Sequence, residues 1–594
     1  MNFLKSQNLK IYSLFLGLIL FGNACKTDET IAPAPTVVTT GTLAGTPGSK
    51  LIISANINAP EGIKQVNVLK NGAAFDAVTG SGQKDLTYSK EYTVENLTAG
   101  SVINFTIQVT DQKNQTSVLT TIPVTVTAIP PKTIVTIPAG SLAAGNLTWT
   151  ADKIYKLSGF VRVGEETVKG TITKKTVLTI EAGTLIIGER ATKGTLIVQR
   201  GSQIIANGTA DKPIIMTSER APGEREAGDW GGLVICGQAP NNLVEADREL
   251  EGGYGAFHGG NDVADNSGSL KYVRVEFAGI PINPNQEVNS FTFGSVGSGT
   301  VVDYLQASFG LDDSFEWFGG NVNCKHLVAY RGQDDDFDVD NGYSGFVQYG
   351  IGIRAATITD VSGSNGFEVD NNTQGTALTP FTSAIFANMS IIGAKGASET
   401  SISPQFQHGI QLRRNNKTKI YNTFITGYPW GVYIDSILGD AKGNADKGEI
   451  DLQNVVLSGI EGWGQNLWGT GVVQNVNGQN VTFNPAGVPV RENEANTAAT
   501  AILIGTKKPN AWFLGLKGNR ILDNRKSTGL AENLWQVGRP TFTLAASGTS
   551  LIGAALPTTL PAYFDKTDYV GAFKDQDWTL GWSEFTPQTI VYVK

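Results

Sequence analysis

Carboxylates crowd the window between residues 312 and 370: Asp312, Asp313 and Glu316, then Asp334, Asp335, Asp336, Asp338 and Asp340, then Glu368 and Asp370. Three kinds of chemistry suit such a set. A pair of acids flanking a glycosidic bond can protonate the leaving oxygen and activate water. A dense group of hard oxygens can hold calcium, which takes about six to eight of them. Asp at turns can also cap strands and hold stacked coils in register without any ligand. The chain has only 3 histidines, which argues against a transition-metal site. The expected Ca2+ ligands are Asp313, Glu316, Asp335, Asp336, Asp338, Asp340, Glu368 and Asp370.

The spacing of these acids follows a repeat. NSFTF from Asn289, DSFEW from Asp313, DDFDV from Asp335, NGFEV from Asn365, HGIQL from His408 and WGVYI from Trp430 align position by position. Their third residues, Phe291, Phe315, Phe337, Phe367, Ile410 and Val432, are 24, 22, 30, 43 and 22 residues apart. A period near 22 with insertions marks a solenoid, and apolar-polar alternation marks strands. A second strand set starts at Ser269, Thr300, Val322, Lys417 and Ile450. Two or more strands in each turn leave no room for helices, so the fold class is all-β, a parallel β-helix. Strand parity then turns the third residues inward. Glu316, Asp338, Glu368, Gln411 and Tyr433 point outward in one column, with Phe318, Asp340, Asp370, Arg413 and Asp435 in a second. Carboxylates on adjacent coils, about 4.8 Å apart, repel by roughly 1 to 3 kcal/mol and need a cation, a proton or Arg413 and Arg414 beside them. Phe318 and Tyr433 have the parity to stack on sugar rings. With Arg413 they are the candidate ligand-binding residues.

Before the repeats lie other segments. Residues 1–24, with Lys5, Lys10 and the apolar run from Ile11 to Phe21, read as a signal peptide. Cys25, preceded by small residues, is the candidate lipidation site, and residues 25–36 the lipidated tether. Residues 37–127 hold about seven short alternating strands, the pattern of a small Ig-like β-sandwich. Residues 133–510 form the β-helix and 511–594 its last coils and a C-terminal cap, with a short helix between Ala511 and Gln536. The net charge of −8 argues against a nucleic acid partner.

The opening coils from Thr176 to Ala239, the stretch EGGYGAFHGGNDVADNSGSLKYVRVEFAG from Glu251 and the ending YVGAFKDQDWTLGW from Tyr569 resemble a family of Bacteroidetes surface lipoproteins. That family joins an Ig-like module to a right-handed parallel β-helix. The resemblance implies an outer-membrane lipoprotein, anchored by its lipid and exposed at the cell surface. Lys26, Thr27, Asp28 and Glu29 resemble the surface-export signal of such lipoproteins, with Thr27 intervening. The leading expectation is a non-catalytic protein whose β-helix, stabilised by calcium, binds an extracellular glycan or nutrient or a partner outer-membrane transporter. The alternatives are a polysaccharide lyase or glycoside hydrolase acting on an acidic polysaccharide, and a structural adhesin or envelope component. Asp312, Asp313, His408 with Gly409, and Arg413 with Lys417 superficially resemble the polygalacturonase set. QHGIQL stands where that family has Gly-His-Gly, and LRRNNK lacks its Arg-x-Lys.

Overall fold

The computed structural model describes residues 32–592, apart from 40, 96, 129, 168–169, 245–247, 397–400, 461–472, 477–478, 483–489, 493–503, 508, 523–529 and 543–550. The signal segment, Cys25 and the tether up to residue 31 lie outside the described residues. The chain divides into two compact units, Met1–Pro131 and Lys132–Lys594. Among the described residues no helix is long and apolar enough to cross a membrane.

In the first unit, alternation builds a two-sheet β-sandwich. Along VINFTIQVTD, Ile103, Phe105, Ile107 and Val109 all lie at 0% exposure, so every second side chain enters the core. One sheet has the order Thr36–Thr39, Lys50–Asn58, Asp85–Thr93. The other runs Leu43–Gly45, Thr120–Val126, Val102–Asp111, Ile63–Lys70, Ala73–Thr79.

The second unit is a right-handed parallel β-helix with 26 strands in one continuous sheet among the described residues. Its coils carry three ladders. The six aligned motifs form the first, and they pair in the register that the repeat predicts: Phe291 beside Phe315, Phe337, Phe367, Ile410 and Val432 in turn. The four phenylalanine rings stack down the interior at 5.1, 5.8 and 5.4 Å between centroids, and all four are fully buried. Cys236 and Cys324 are buried free thiols.

The second strand set splits into two ladders because each long strand bends at one residue. Tyr272, Tyr304, His326, Tyr349, Asn388, Asn422 and Asn454 hold that corner with φ between 46° and 64°. Asn tolerates this left-handed conformation, whereas aromatic residues adopt it rarely. Here the rings compensate by stacking, at 4.4, 4.2 and 5.0 Å from Tyr272 through Tyr304 and His326 to Tyr349.

The C-terminal segment differs from the expected cap. A helix, Pro509–Gly515, packs Trp512 and Phe513 onto the end of the main core, but the tail beyond it returns along the flank of the coils. Asn454, Asn422 and Asn388 at the corner donate to the carbonyls of Ala555, Ala554, Tyr569 and Gly571. Trp578 and Trp582 then cover the aromatic stack. Near the chain end the Tyr592 hydroxyl donates to Glu276 Oε1 at 2.7 Å. The physical reason is a second apolar stripe on the outside of the coils, Phe277, Phe309, Val328, Tyr330, Ile351 and Ile353, which the tail covers.

Candidate functional site

The outer face of the first ladder is built from two positions of each motif. The first position closes coil on coil through side chain to backbone bonds. Asp335 N–H donates to Asp313 Oδ1 at 2.7 Å, Asn365 N–H to Asp335 Oδ1, and His408 N–H to Asn365 Oδ1 at 3.1 Å. This is why each motif begins with a residue able to reach the turn below it. Asp313 and Asp335 therefore hold register with one oxygen each.

The fourth position forms the outward column Thr292, Glu316, Asp338, Glu368, Gln411, Tyr433. Three groups of acids bring one carboxylate oxygen each within 4.8 Å of the others: Asp312 with Asp313 and Asp334; Asp313 with Glu316 and Asp338; Asp335 with Asp338 and Glu368. The surrounding protein, and after it mutual repulsion, raises the carboxyls of Asp312, Asp313, Glu316, Asp334 and Asp338 well above the usual carboxylate range. Asp340 is pushed up to about 6, chiefly by desolvation.

Several sequence-predicted residues take other roles. Asp336 is not with the outward acids: it turns inward, fully buried, with Oδ1 at 3.2 Å from Arg354 Nε. It completes an interior ion pair, since a buried guanidinium needs a counter-charge. Arg413 is committed to Asp370, at 3.0 and 2.8 Å, and also to Glu368. It neutralises the columns and is not a free ligand-binding group. Arg414 joins it on Asp370 Oδ2 at 2.6 Å, so two arginines meet the Asp370 carboxylate. Tyr433 stacks on His408 at 4.5 Å and does not line the cleft described next. Phe318 is 9% exposed and packs in an apolar cluster with Cys236, Leu250 and Tyr254, leaving only its edge on the cleft.

What sequence reasoning missed are residues 241–244 and 248–262, which overhang the ladder. Gly294 makes room for it: a Cβ there would meet His258 Cβ at 2.9 Å. His258 Nδ1 lies 2.9 Å from Ser295 Oγ, and burial lowers its pKa to about 3, so the ring is neutral at physiological pH. Between overhang and ladder runs a cleft of about 340 Å3. Its carboxylates are Glu249, Glu251, Glu316, Asp338, Asp340, Glu368 and Asp370, and His258, Asn341, Thr373 and Arg414 complete its polar lining. No periodicity announces Glu249, Glu251 or His258, whereas Thr292 sat in the aligned motif NSFTF and could have been read as a member of the column that the sequence already assigned to Glu316 through Gln411.

The arrangement offers carboxylate and amide acceptors to hydroxyl groups, proton donors near neutral pH, and oxygen ligands to a hard cation. A family model described as a pectate-lyase like beta helix domain matches residues 140–512. Among solved structures, the family 28 exopolygalacturonase of Yersinia enterocolitica aligns over 72% of this chain and 94% of its own, at 10% identity and a TM-score of 0.17. No curated protein sequence matches the chain.

Proposed function

Because the chain belongs to the pectate-lyase-like β-helix domain family, we propose that it acts on an extracellular polysaccharide, holding a glycan in the cleft between the acid ladder and its overhang. The observation that carries this is the lining itself: seven carboxylates with Asn341, Thr373 and Arg414 along one groove. Carboxylates and amides accept bonds from sugar hydroxyls, and a run of coils offers the same acceptors at successive steps along a polymer. Binding without cleavage is the first reading. Cleavage of an acidic polysaccharide is the second, and one feature favours it. Asp340, pushed up to about 6, shares the cleft with Asp370, whose carboxyl burial and then Asp340 raise well above the usual range despite the two arginines on it; neighbouring acids with unequal proton affinity are the asymmetry that glycoside hydrolysis uses.

The sheet order in residues 36–126 supports the reading of the first unit as an immunoglobulin-like spacer. Lipidation at Cys25, export to the outer membrane and a transporter partner remain part of the same proposal, motivated by the sequence before residue 32. The test is a panel of acidic and neutral polysaccharides in affinity electrophoresis, with analysis of reducing ends and unsaturated products. Retardation by at least one polymer that vanishes in Asp340→Asn and Arg414→Ala supports binding. Products that depend on Asp340 promote the second reading, and no retardation by any polymer overturns both.

A further inference from the structure

Seven carboxylates line the cleft, and Arg414 is the one arginine or lysine among its lining residues. That arginine is spent: it pairs with Asp370, as does Arg413, which also meets Glu368. Among the described residues no ion pair reaches the other five, Glu249 and Glu251 on the overhang and Glu316, Asp338 and Asp340 on the ladder. Neutral donors are spent in the same way. Asn289 Nδ2 donates to Glu316 Oε2, Gln411 Nε2 to Glu368 Oε2 at 3.1 Å, the Gly255 N–H to Glu249 Oε1 at 2.7 Å and the Asn341 N–H to Asp340 Oδ1 at 2.6 Å. Desolvation, then the charges of Glu287 and Asp340, push the Glu251 carboxyl up to about 7, so Glu251 and Asp340 feel one another across the cleft.

Independently of the acids, one neutral side chain lacks a partner. Asn341 lines the cleft and is 6% exposed, yet its Oδ1 is buried with no hydrogen bond among the described residues. Its backbone is fixed where the ladder meets the overhang: the carbonyl accepts the Asn242 N–H at 3.0 Å, and φ is 53°. A buried amide oxygen without a donor is costly. The cleft's unmet groups, charged and neutral, are therefore all acceptors.

That asymmetry discriminates between sugars. A uronate adds negative charge and further acceptors, so it fits neither kind of unmet group. A neutral sugar brings hydroxyl donors and leaves the charges as they are. An amino sugar with a free amine brings both donors and charge, because an ammonium carries three donors and no acceptor and its bonds to carboxylates are charge-assisted. We propose that the cleft selects a glycan of amino sugars with free amino groups, an ammonium lying between Glu251 of the overhang and Asp340 of the ladder, with Asn341 Oδ1 as a neutral acceptor. The inference rests on the reading of the cleft as a glycan site and adds the charge of the polymer.

The experiment is calorimetric titration of the full chain, in chelator and again in calcium, with three oligosaccharides of equal length: one of glucosamine, its N-acetylated counterpart and one of galacturonate. Oligolysine is the fourth probe. The glucosamine oligosaccharide should bind at least about tenfold tighter than each of the others, as gain of a charge-assisted bond gives. Glu251→Gln, which keeps the shape of the side chain, should weaken it by about tenfold, and Asn341→Gly, which the left-handed backbone tolerates, by about fivefold. If Glu251→Gln fails to fold by circular dichroism, Asn341→Gly carries the test. Equal or tighter binding of the N-acetylated or galacturonate oligosaccharide, in either condition, overturns the inference and leaves the cleft a glycan site. Oligolysine binding as tightly as the glucosamine oligosaccharide overturns it as well, since the acids then take any polycation, and so does full affinity in the folded variants. Binding of none of the three oligosaccharides overturns the glycan reading along with it.

Discussion

Arg413 reaches back across a 43-residue excursion to grip Asp370 with one edge of its guanidinium, Nε donating to Oδ1 at 3.0 Å and Nη2 to Oδ2 at 2.8 Å. The same Nη2 also meets Glu368, so one cation ties together the two acid columns at the end of the ladder. Replacing Arg413 by Met should cost roughly 3 kcal/mol, the usual loss when one partner of a largely buried pair is removed. Arg413→Lys should recover less than half of it, because an ammonium cannot make the two parallel bonds. Urea unfolding measures this, and a loss below about 1 kcal/mol would show that Arg414 alone carries the columns.

The acid ladder makes stability fall as pH rises in the absence of cations. A carboxyl whose folded pKa is raised binds more protons in the native chain than in the unfolded one, so its contribution is complete below the unfolded value and is lost as pH climbs through the folded value. For Asp340 that window runs from the usual carboxylate range to about 6, and its loss is on the order of 3 kcal/mol. In chelator, the melting temperature should be higher at pH 5 than at pH 7.5. Calcium should reverse the order, since protons and cations compete for the same oxygens. A chelator-independent pH profile would refute the ladder's role in it.

The interior pair Asp336 and Arg354 should behave differently from the outward acids. Both side chains are fully buried, and Asp336 is pushed up to about 7 by desolvation. Arg354→Met should destabilise by roughly 3 kcal/mol, and Asp336→Asn in the same chain should return part of that loss. A double variant weaker than the sum of the singles would mean that the two groups do not act as a pair.

The tail is expected to contribute stability through the contacts of Tyr592. Tyr592→Phe removes the hydroxyl donor to Glu276, a fully buried carboxylate that also has Arg274 Nε at 3.3 Å. Leaving that acceptor short should cost about 1 to 3 kcal/mol. Proteolysis should then cut first in the tail, and an unchanged cleavage pattern would count against its docking through this bond.

Cys25→Ala should release the protein from the membrane fraction, because the small-residue approach to Cys25 supplies the proposed lipid anchor. Retention after a salt wash would remove the lipoprotein reading.

The register of the acid column was legible in six aligned pentapeptides. In a parallel stack equal positions become neighbours, and alternation decides which of them face out. Phe315 over Phe337 and Glu316 over Asp338 follow from those two rules alone. Parity says only that a side chain leaves the coil, however, not what it then meets. Phe318 and Asp340 have the same parity, stand side by side in the register and both border the cleft, yet Phe318 is mostly taken up by an apolar cluster while Asp340 adds a carboxylate to the lining. The third ladder was hidden for a related reason: a bend at Tyr272, Tyr304 or His326 needs a backbone conformation that aromatic residues seldom take, and stacking on the next coil is what sustains it.

The sequence by itself determined the repeat, the parallel β-helix and the identity of the stacked acids, because each depends on neighbours one coil away. Only the tertiary structure decided the overhang that makes a cleft of the ladder, the turn of Asp336 toward Arg354, and the return of the tail to Glu276. These contacts join residues with no shared period, up to 316 positions apart, and are set by which apolar and charged surfaces remain uncovered once the coils have stacked.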